Sequence, residues 1–144
     1  MSEAVGNLLI RLEAPNDAPA IRSVIVQAFG RAAEADLVQQ LRLQDAVALT
    51  LVAVMEGQIV GHILYTPVTV ESNPRNRQII SLAPLAVHPN WQRRGVGTAL
   101  IQASFNALKT SNLDGAVVLG SPDYYHRFGF QPAANFGLQC EYPV

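Results

Sequence analysis

The stretch Ser81–Leu100, SLAPLAVHPNWQRRGVGTAL, decides the fold of this 144-residue chain. An apolar, strand-like run is followed by a short turn, and Gln92–Gly97 then opens a helix. The start of a helix leaves about four backbone N–H groups without intrahelical partners, and roughly half a positive charge gathers there. Because Gly95 and Gly97 have no Cβ, an anionic group can approach this backbone closely. The pattern therefore indicates a site for a phosphate-containing ligand.

The glycine spacing alone leaves two interpretations open. The two common nucleotide-binding fingerprints are incomplete, because GxxxxGK[ST] is absent and the residues after Gly97 break GxGxxG. A helix start packed tightly against a strand would explain the same glycines without any ligand.

The composition favours one globular domain without a nucleic-acid or membrane partner. Apolar residues make up 49% of the chain and charged residues 15%, which is enough apolar material for a real core. A net charge of −1 gives no electrostatic attraction to nucleic acid or to an anionic membrane. Cys140 is the only cysteine, so an internal disulfide is excluded. We find no signal-peptide pattern and no apolar run near the ~20 residues of a membrane span, and we expect a cytoplasmic protein.

The hydrophobic periodicity predicts the element order βααβββαβα, an α+β (mixed α/β) fold. The predicted strands span residues 8–12, 48–56, 59–70, 78–87 and 116–119. The apolar stripe from Ile21 to Phe29 predicts a first helix that Asn16 or Asp17 can cap. The other predicted helices span residues 33–42, 95–109 and 123–128. Pro84 lies inside the fourth strand, where proline indicates either a bulge or a simple local kink.

The run LAVHPNWQRRGVGTAL strongly resembles the central motif of the GNAT superfamily of N-acetyltransferases, Q/R-x-x-G-x-G/A. The resemblance extends over about residues 8–135 through three further segments, IRLEAP (10–15), GQIVGHI (57–63) and YYHRFGF (124–130). In segments that include GHIL (61–64) and GSPDYY (120–125), the chain is similar to the YhbS-like predicted acetyltransferases of bacteria. The resemblance implies a single domain over residues 1–144, with a twisted, mostly antiparallel sheet, splayed central strands and flanking helices.

The resemblance also implies acetyl-CoA as the cosubstrate, with no metal. The pantetheine arm would pair with free backbone groups beside the predicted bulge, and the pyrophosphate would bind the amides at the helix start. His88 and Pro89 would shape the turn between them. The implied cofactor-binding residues are Leu85, Ala86, Val87, Gln92, Arg93, Arg94, Gly95, Val96, Gly97 and Thr98.

The same resemblance implies two catalytic groups. The Leu85 amide would donate to the thioester oxygen, and Tyr125 would protonate the departing thiolate, with Tyr124 as the alternative. The general base stays open among Glu34, His62, Glu71 and Asp123. Glu34 and His62 are also candidate contacts for the acceptor.

The expected activity is acetyl transfer to a primary amine of a small molecule or peptide, by direct attack on the thioester. The alternative is a non-catalytic acyl-CoA-binding regulatory module on the same fold. The chain ends before the last strand of the family, so we expect that strand to be missing or shortened. An uncovered sheet edge invites pairing, which makes a homodimer an expectation.

Overall fold

In the part of the chain that the structure describes, five strands form one sheet in chain order. The computed structural model describes residues 7–70, 77–109 and 115–118. Its strands are Leu9–Leu12 (β1), Leu49–Met55 (β2), Gln58–Val70 (β3), Arg77–Val87 (β4) and Gly115–Val118 (β5). All neighbours are antiparallel except β4 and β5, which run parallel. The predicted mixed fold with a mostly antiparallel sheet is confirmed.

Among the described residues, three helices cover the two faces of this sheet. They are Ala18–Phe29 (α1), Ala33–Leu43 (α2) and Val96–Leu108 (α3). Because strand side chains alternate between faces, β3 sends Leu64 towards the α1 and α2 side and Tyr65 towards α3. Each face therefore has its own apolar cluster, and the cofactor motif lies at the start of the helix that covers the second face.

The observed boundaries lie within a few residues of the predicted ones. The predicted helix over residues 123–128 falls outside the described residues, as does the end of the strand predicted over 116–119. Asp17 occupies the N-cap position of α1, but its carboxylate accepts from Arg11 and from the Ala14 N–H, so it does not cap the helix. No helix in the part of the chain that the structure describes is long and apolar enough to cross a bilayer.

The strand that carries Pro84 contains a bulge. Ile63 of β3 lies opposite Leu85, whereas Tyr65 lies opposite Leu82, so the single residue between them on β3 faces two residues of β4. The structure thus selects the bulge over the simple kink. The parallel pairing with β5 runs from Ile79 to Leu82, where the described part of β5 ends.

Candidate functional site

The edge of β4 beyond the bulge carries backbone groups that face away from β3. His88 donates its N–H to the Val60 carbonyl at 2.8 Å. In an antiparallel ladder, hydrogen-bonded and non-hydrogen-bonded pairs alternate, so Ala86 faces its partner while Leu85 and Val87 point the other way. Two of the three strand residues predicted to bind pantetheine therefore present peptide groups to the far side of β4.

Side chains shape the turn that follows β4. The His88 Nδ1 accepts the Asn90 N–H at 3.1 Å, which confirms the predicted structural role of His88. The Gln92 side-chain amide donates to the Val87 carbonyl at 3.0 Å, on the outward side of the strand. These bonds hold the turn in one shape before the helix begins.

The backbone then passes through two left-handed residues. Arg93 has φ 63° and Gly95 has φ 86°. The first is uncommon for a residue with a Cβ, and glycine adopts the second without a steric cost. Gly95 is the N-cap residue of α3 and has no side chain to cap it, so the N–H groups of Val96, Gly97 and Thr98 begin the helix without a side-chain cap.

A pocket with a volume of about 470 Å³ joins the strand edge to the helix start. It is lined by Leu85, Val87, Trp91, Gln92, Arg93, Gly95, Gly97 and Thr98. Seven of these residues are predicted cofactor contacts. The side chains of Ala86 and Val96, by contrast, are buried in the core. A pocket of this size suits a small-molecule ligand, and its lining residues come from both the strand and the helix start that were predicted to bind the cofactor.

Trp91 lines the pocket although the sequence analysis did not select it. The guanidinium of Arg94 lies over its ring, 5.3 Å from the ring centroid, which is a cation–π contact. A large aromatic residue directly before the QRRGVG run was the available signal. Arg94 itself is not among the residues that line the pocket.

His62 lies inside the protein, with none of its surface exposed. Its Nε2 is 2.8 Å from the Thr50 hydroxyl and 3.3 Å from a carboxylate oxygen of Glu13. Burial lowers the pKa of His62, which keeps the imidazole neutral near pH 7. An acceptor contact by His62 stays a prediction, and its burial favours a role within the protein.

Glu34 lies in the first turn of α2 and pairs with Arg31. The Arg31 Nε donates to the carboxylate at 2.9 Å, and this hydrogen bond lowers the pKa of Glu34. The other candidates for proton transfer fall outside the described residues: Glu71, Asp123, Tyr124 and Tyr125. Within the described ranges, no three His, Cys, Asp or Glu side chains are grouped so that they could hold a metal ion.

Curated relatives share most of the length of this chain. The uncharacterized N-acetyltransferase YhbS of Escherichia coli K12 is 37% identical over 137 residues, which cover 94% of this chain and 81% of the relative. The uncharacterized N-acetyltransferase YjhQ of the same organism is 41% identical over 132 residues, which cover 90% of this chain and 73% of the relative.

Solved structures show the same architecture. The crystal structure of the E. coli GNAT family N-acetyltransferase YhbS in complex with CoA matches with a TM-score of 0.87 and 36% identity, over 94% of this chain and 75% of that one. A GNAT family acetyltransferase from Brucella melitensis in complex with acetyl-CoA matches with a TM-score of 0.78 and 36% identity. The match covers 88% of this chain and 84% of that one. The family model described as the acetyltransferase (GNAT) domain matches residues 46–132. The chain therefore belongs to the GNAT family of acetyltransferases.

Proposed function

We propose that this protein transfers the acetyl group of acetyl-CoA to a primary amine of a small molecule or peptide. One observation carries the proposal: the outward peptide groups of Leu85 and Val87 and the uncapped start of α3 line the same pocket. A ligand that joins an extended, amide-containing arm to a diphosphate can bind both parts of this pocket. The arm would pair with the outward strand edge, and the diphosphate would bind the helix start. The CoA and acetyl-CoA complexes of the two similar structures support this choice of ligand.

Each part of the cofactor has a counterpart in the pocket. The diphosphate accepts from the N–H groups of Gly97 and its neighbours, and the helix dipole favours its charge. The pantetheine arm runs along the outward edge of β4. The thioester oxygen accepts from the Leu85 N–H, and a donor of this kind typically contributes about 3 kcal/mol to stabilising the transition state.

The reaction then needs two proton transfers. The neutral amine attacks the acetyl carbon, the C–S bond breaks, and the thiolate takes a proton from Tyr125, since a thiol with a pKa of ~8.5 leaves more readily beside an acid. The amine proton passes to a base or to water. Glu34 on the surface of α2 is the candidate contact for a cationic acceptor, because its carboxylate is ionised beside Arg31.

The placement of the diphosphate is tested by adding a carboxylate to α3 at two positions. Gly97→Glu puts bulk and negative charge where the phosphates bind, and we expect calorimetry to show no binding of acetyl-CoA. Gln102→Glu, further along the same helix and exposed, is the matched control and should bind as the parent does. Parental affinity in Gly97→Glu would refute the site.

The proposed acid is tested with Tyr125→Phe, which removes one hydroxyl. We expect slower release of free CoA thiol and nearly unchanged affinity for acetyl-CoA, because the hydroxyl acts on the leaving group. An equal loss of both would assign Tyr125 a packing role instead.

Incubation with a panel of polyamines, aminoglycosides, amino acids and peptides distinguishes the enzyme hypothesis from the hypothesis of a regulatory module. The enzyme releases free CoA thiol with at least one of them. Binding of acetyl-CoA without turnover on any amine of the panel would favour the module.

A further inference from the structure

A partly buried polar cluster connects four parts of the chain on the face that α1 and α2 cover. Glu13, which follows β1, is its centre. The guanidinium of Arg42 donates twice to this carboxylate, at 2.8 and 3.0 Å, and the Thr50 hydroxyl donates at 2.8 Å. His62 completes the cluster through its Nε2. Arg42 belongs to α2, Thr50 to β2 and His62 to β3, so one carboxylate holds three elements together.

The geometry also determines where the proton of His62 lies. Thr50 has one hydroxyl hydrogen and donates it to Glu13, so its oxygen is an acceptor towards the imidazole. Glu13 is an acceptor as well. The Nε2 therefore carries the hydrogen and donates it to both oxygens. Nδ1, which has no hydrogen-bond partner among the residues that the structure describes, holds the lone pair.

The cluster reaches the strand that lines the pocket. His62 lies opposite Ala86 of β4, in a pair that the alternation makes hydrogen-bonded, and Ala86 lies between the two outward-facing residues of the cofactor edge. At the other end, Arg42 lies in the last turn of α2, the helix whose first turn carries Glu34. A continuous series of contacts thus connects α2 to β4.

We propose that Glu13 is a positioning residue, which fixes the acceptor-side helix α2 relative to the cofactor strand β4 by binding Arg42 and His62 together. The inference rests on the proposed function, because it places the amine on the face that α1 and α2 cover. A purely local ion pair would leave β4 out of the cluster. Here the Glu13 side chain is only 12% exposed and His62 is fully buried, so the loss of the carboxylate removes a partner from a buried imidazole and from the partly buried Arg42 guanidinium.

The experiment compares Glu13→Gln with the matched control Asp17→Asn. Asp17 also forms a two-point ion pair with an arginine, Arg11, in the same connection between β1 and α1, but it lies outside the cluster. Three quantities are measured: acetyl-CoA affinity by calorimetry, amide hydrogen exchange over α2, and KM and kcat for an amine that the parent accepts.

In Glu13→Gln we expect exchange over α2 to be about tenfold faster and KM for the amine to rise by about tenfold, because a partly buried charge pair is lost. The affinity for acetyl-CoA stays parental. Asp17→Asn changes none of the three. Arg42→Lys keeps the positive charge but loses the two-point contact, so we expect amide exchange over α2 at a rate between those of the parent and Glu13→Gln. This variant tests the same contact if Glu13→Gln does not fold.

Parental α2 exchange in Glu13→Gln would overturn the inference. An equal fall in amine and acetyl-CoA affinity would overturn it too, because Glu13 would then support the whole fold. A spectrum of labelled parent imidazole nitrogens that shows His62 protonated at Nδ1 would contradict the assigned tautomer. If the parent binds no acetyl-CoA, the proposed function fails, while α2 exchange still decides the role of Glu13.

Discussion

The protonation of two side chains makes the stability of this protein depend on pH. Burial lowers the pKa of His62 below its ordinary 6.5. Burial alone would raise the pKa of Glu13, but hydrogen bonds from His62, Arg42 and Thr50 outweigh it and lower the pKa from 4.5 to about 2. In both cases the unfolded chain binds the proton more readily than the folded one, so acid favours unfolding.

We therefore expect the free energy of unfolding to fall as the pH drops below about 6.5, with a second decline below about 4.5 as Glu13 contributes. Urea titrations between pH 7.5 and 5.5 measure the first part. His62→Gln removes the group that titrates and should flatten this part of the curve. Equal slopes in the parent and His62→Gln would contradict the assignment.

Individual residues also show which parts of the candidate site could be predicted from the sequence and which could not. The QRRGVG run correctly predicted where α3 begins and that Gly95 and Gly97 lie at its start, because a helix start is a local signal in the sequence. The Gln92 contact with the Val87 carbonyl could not be predicted, since it depends on the shape of the turn. Asp17 had two possible partners, the helix start or Arg11, and only the folded connection places the guanidinium within 2.8 Å of its carboxylate.

Among the elements, β4 shows how a pattern can indicate an irregularity without resolving it. Pro84 predicted a bulge or a kink, and neither choice alone specifies which peptide groups face outward. The observed register does so, because one extra residue on β4 changes which side of the strand each later residue faces. With the bulge in this position, the peptide groups of Leu85 and Val87 face away from β3, and both residues line the pocket.

The contact between β3 and α3 provides a prediction at the same scale. A Cβ added to Gly61 would lie 3.0 Å from Leu100 and Val96 and 3.3 Å from Ala53. In Gly61→Ala the side chains of Leu100 and Val96 must shift by a few tenths of an ångström, and we expect the crowded contact to lower the free energy of unfolding by about 1–3 kcal/mol. Because Val96 starts α3, the affinity for acetyl-CoA should fall as well.

Gly57→Ala is the matched control for this substitution. Gly57 has φ +78° and nothing within 4 Å of an added Cβ, so it tests backbone strain without a steric contact. We expect a loss of about 1–2 kcal/mol in urea unfolding and parental acetyl-CoA affinity by calorimetry. A weaker affinity in Gly57→Ala, or parental affinity in Gly61→Ala, would contradict the proposed coupling between this contact and the site.

At the scale of the molecule, the sequence predicted the mixed fold and the order of the helices and strands that the structure describes, because both follow from periodicity. It could not predict the cluster around Glu13, since His62 and Glu13 are 49 residues apart and meet only when the sheet closes β1 against β2 and β2 against β3. The sequence analysis placed His62 among acceptor contacts from its position on a strand. The homodimer stays a prediction.

Ligand binding should stabilise the whole molecule. A ligand that binds only the folded state at about 100 times its Kd adds about 2.7 kcal/mol to the free energy of unfolding. We expect acetyl-CoA to raise the melting temperature of the parent and of Gln102→Glu in thermal scans, and to leave Gly97→Glu unchanged. A shift in all three proteins would indicate binding elsewhere.

The pocket wall contributed by Trp91 has a practical consequence. This is the only tryptophan among the 144 residues, and it lines the pocket with a guanidinium on its ring. Indole emission responds to polarity and to neighbouring charge, so the light that the unlabelled protein emits under ultraviolet excitation comes mainly from the site itself. Acyl-chain preference can then be surveyed optically, thioester by thioester, without a dye and before any amine has been identified.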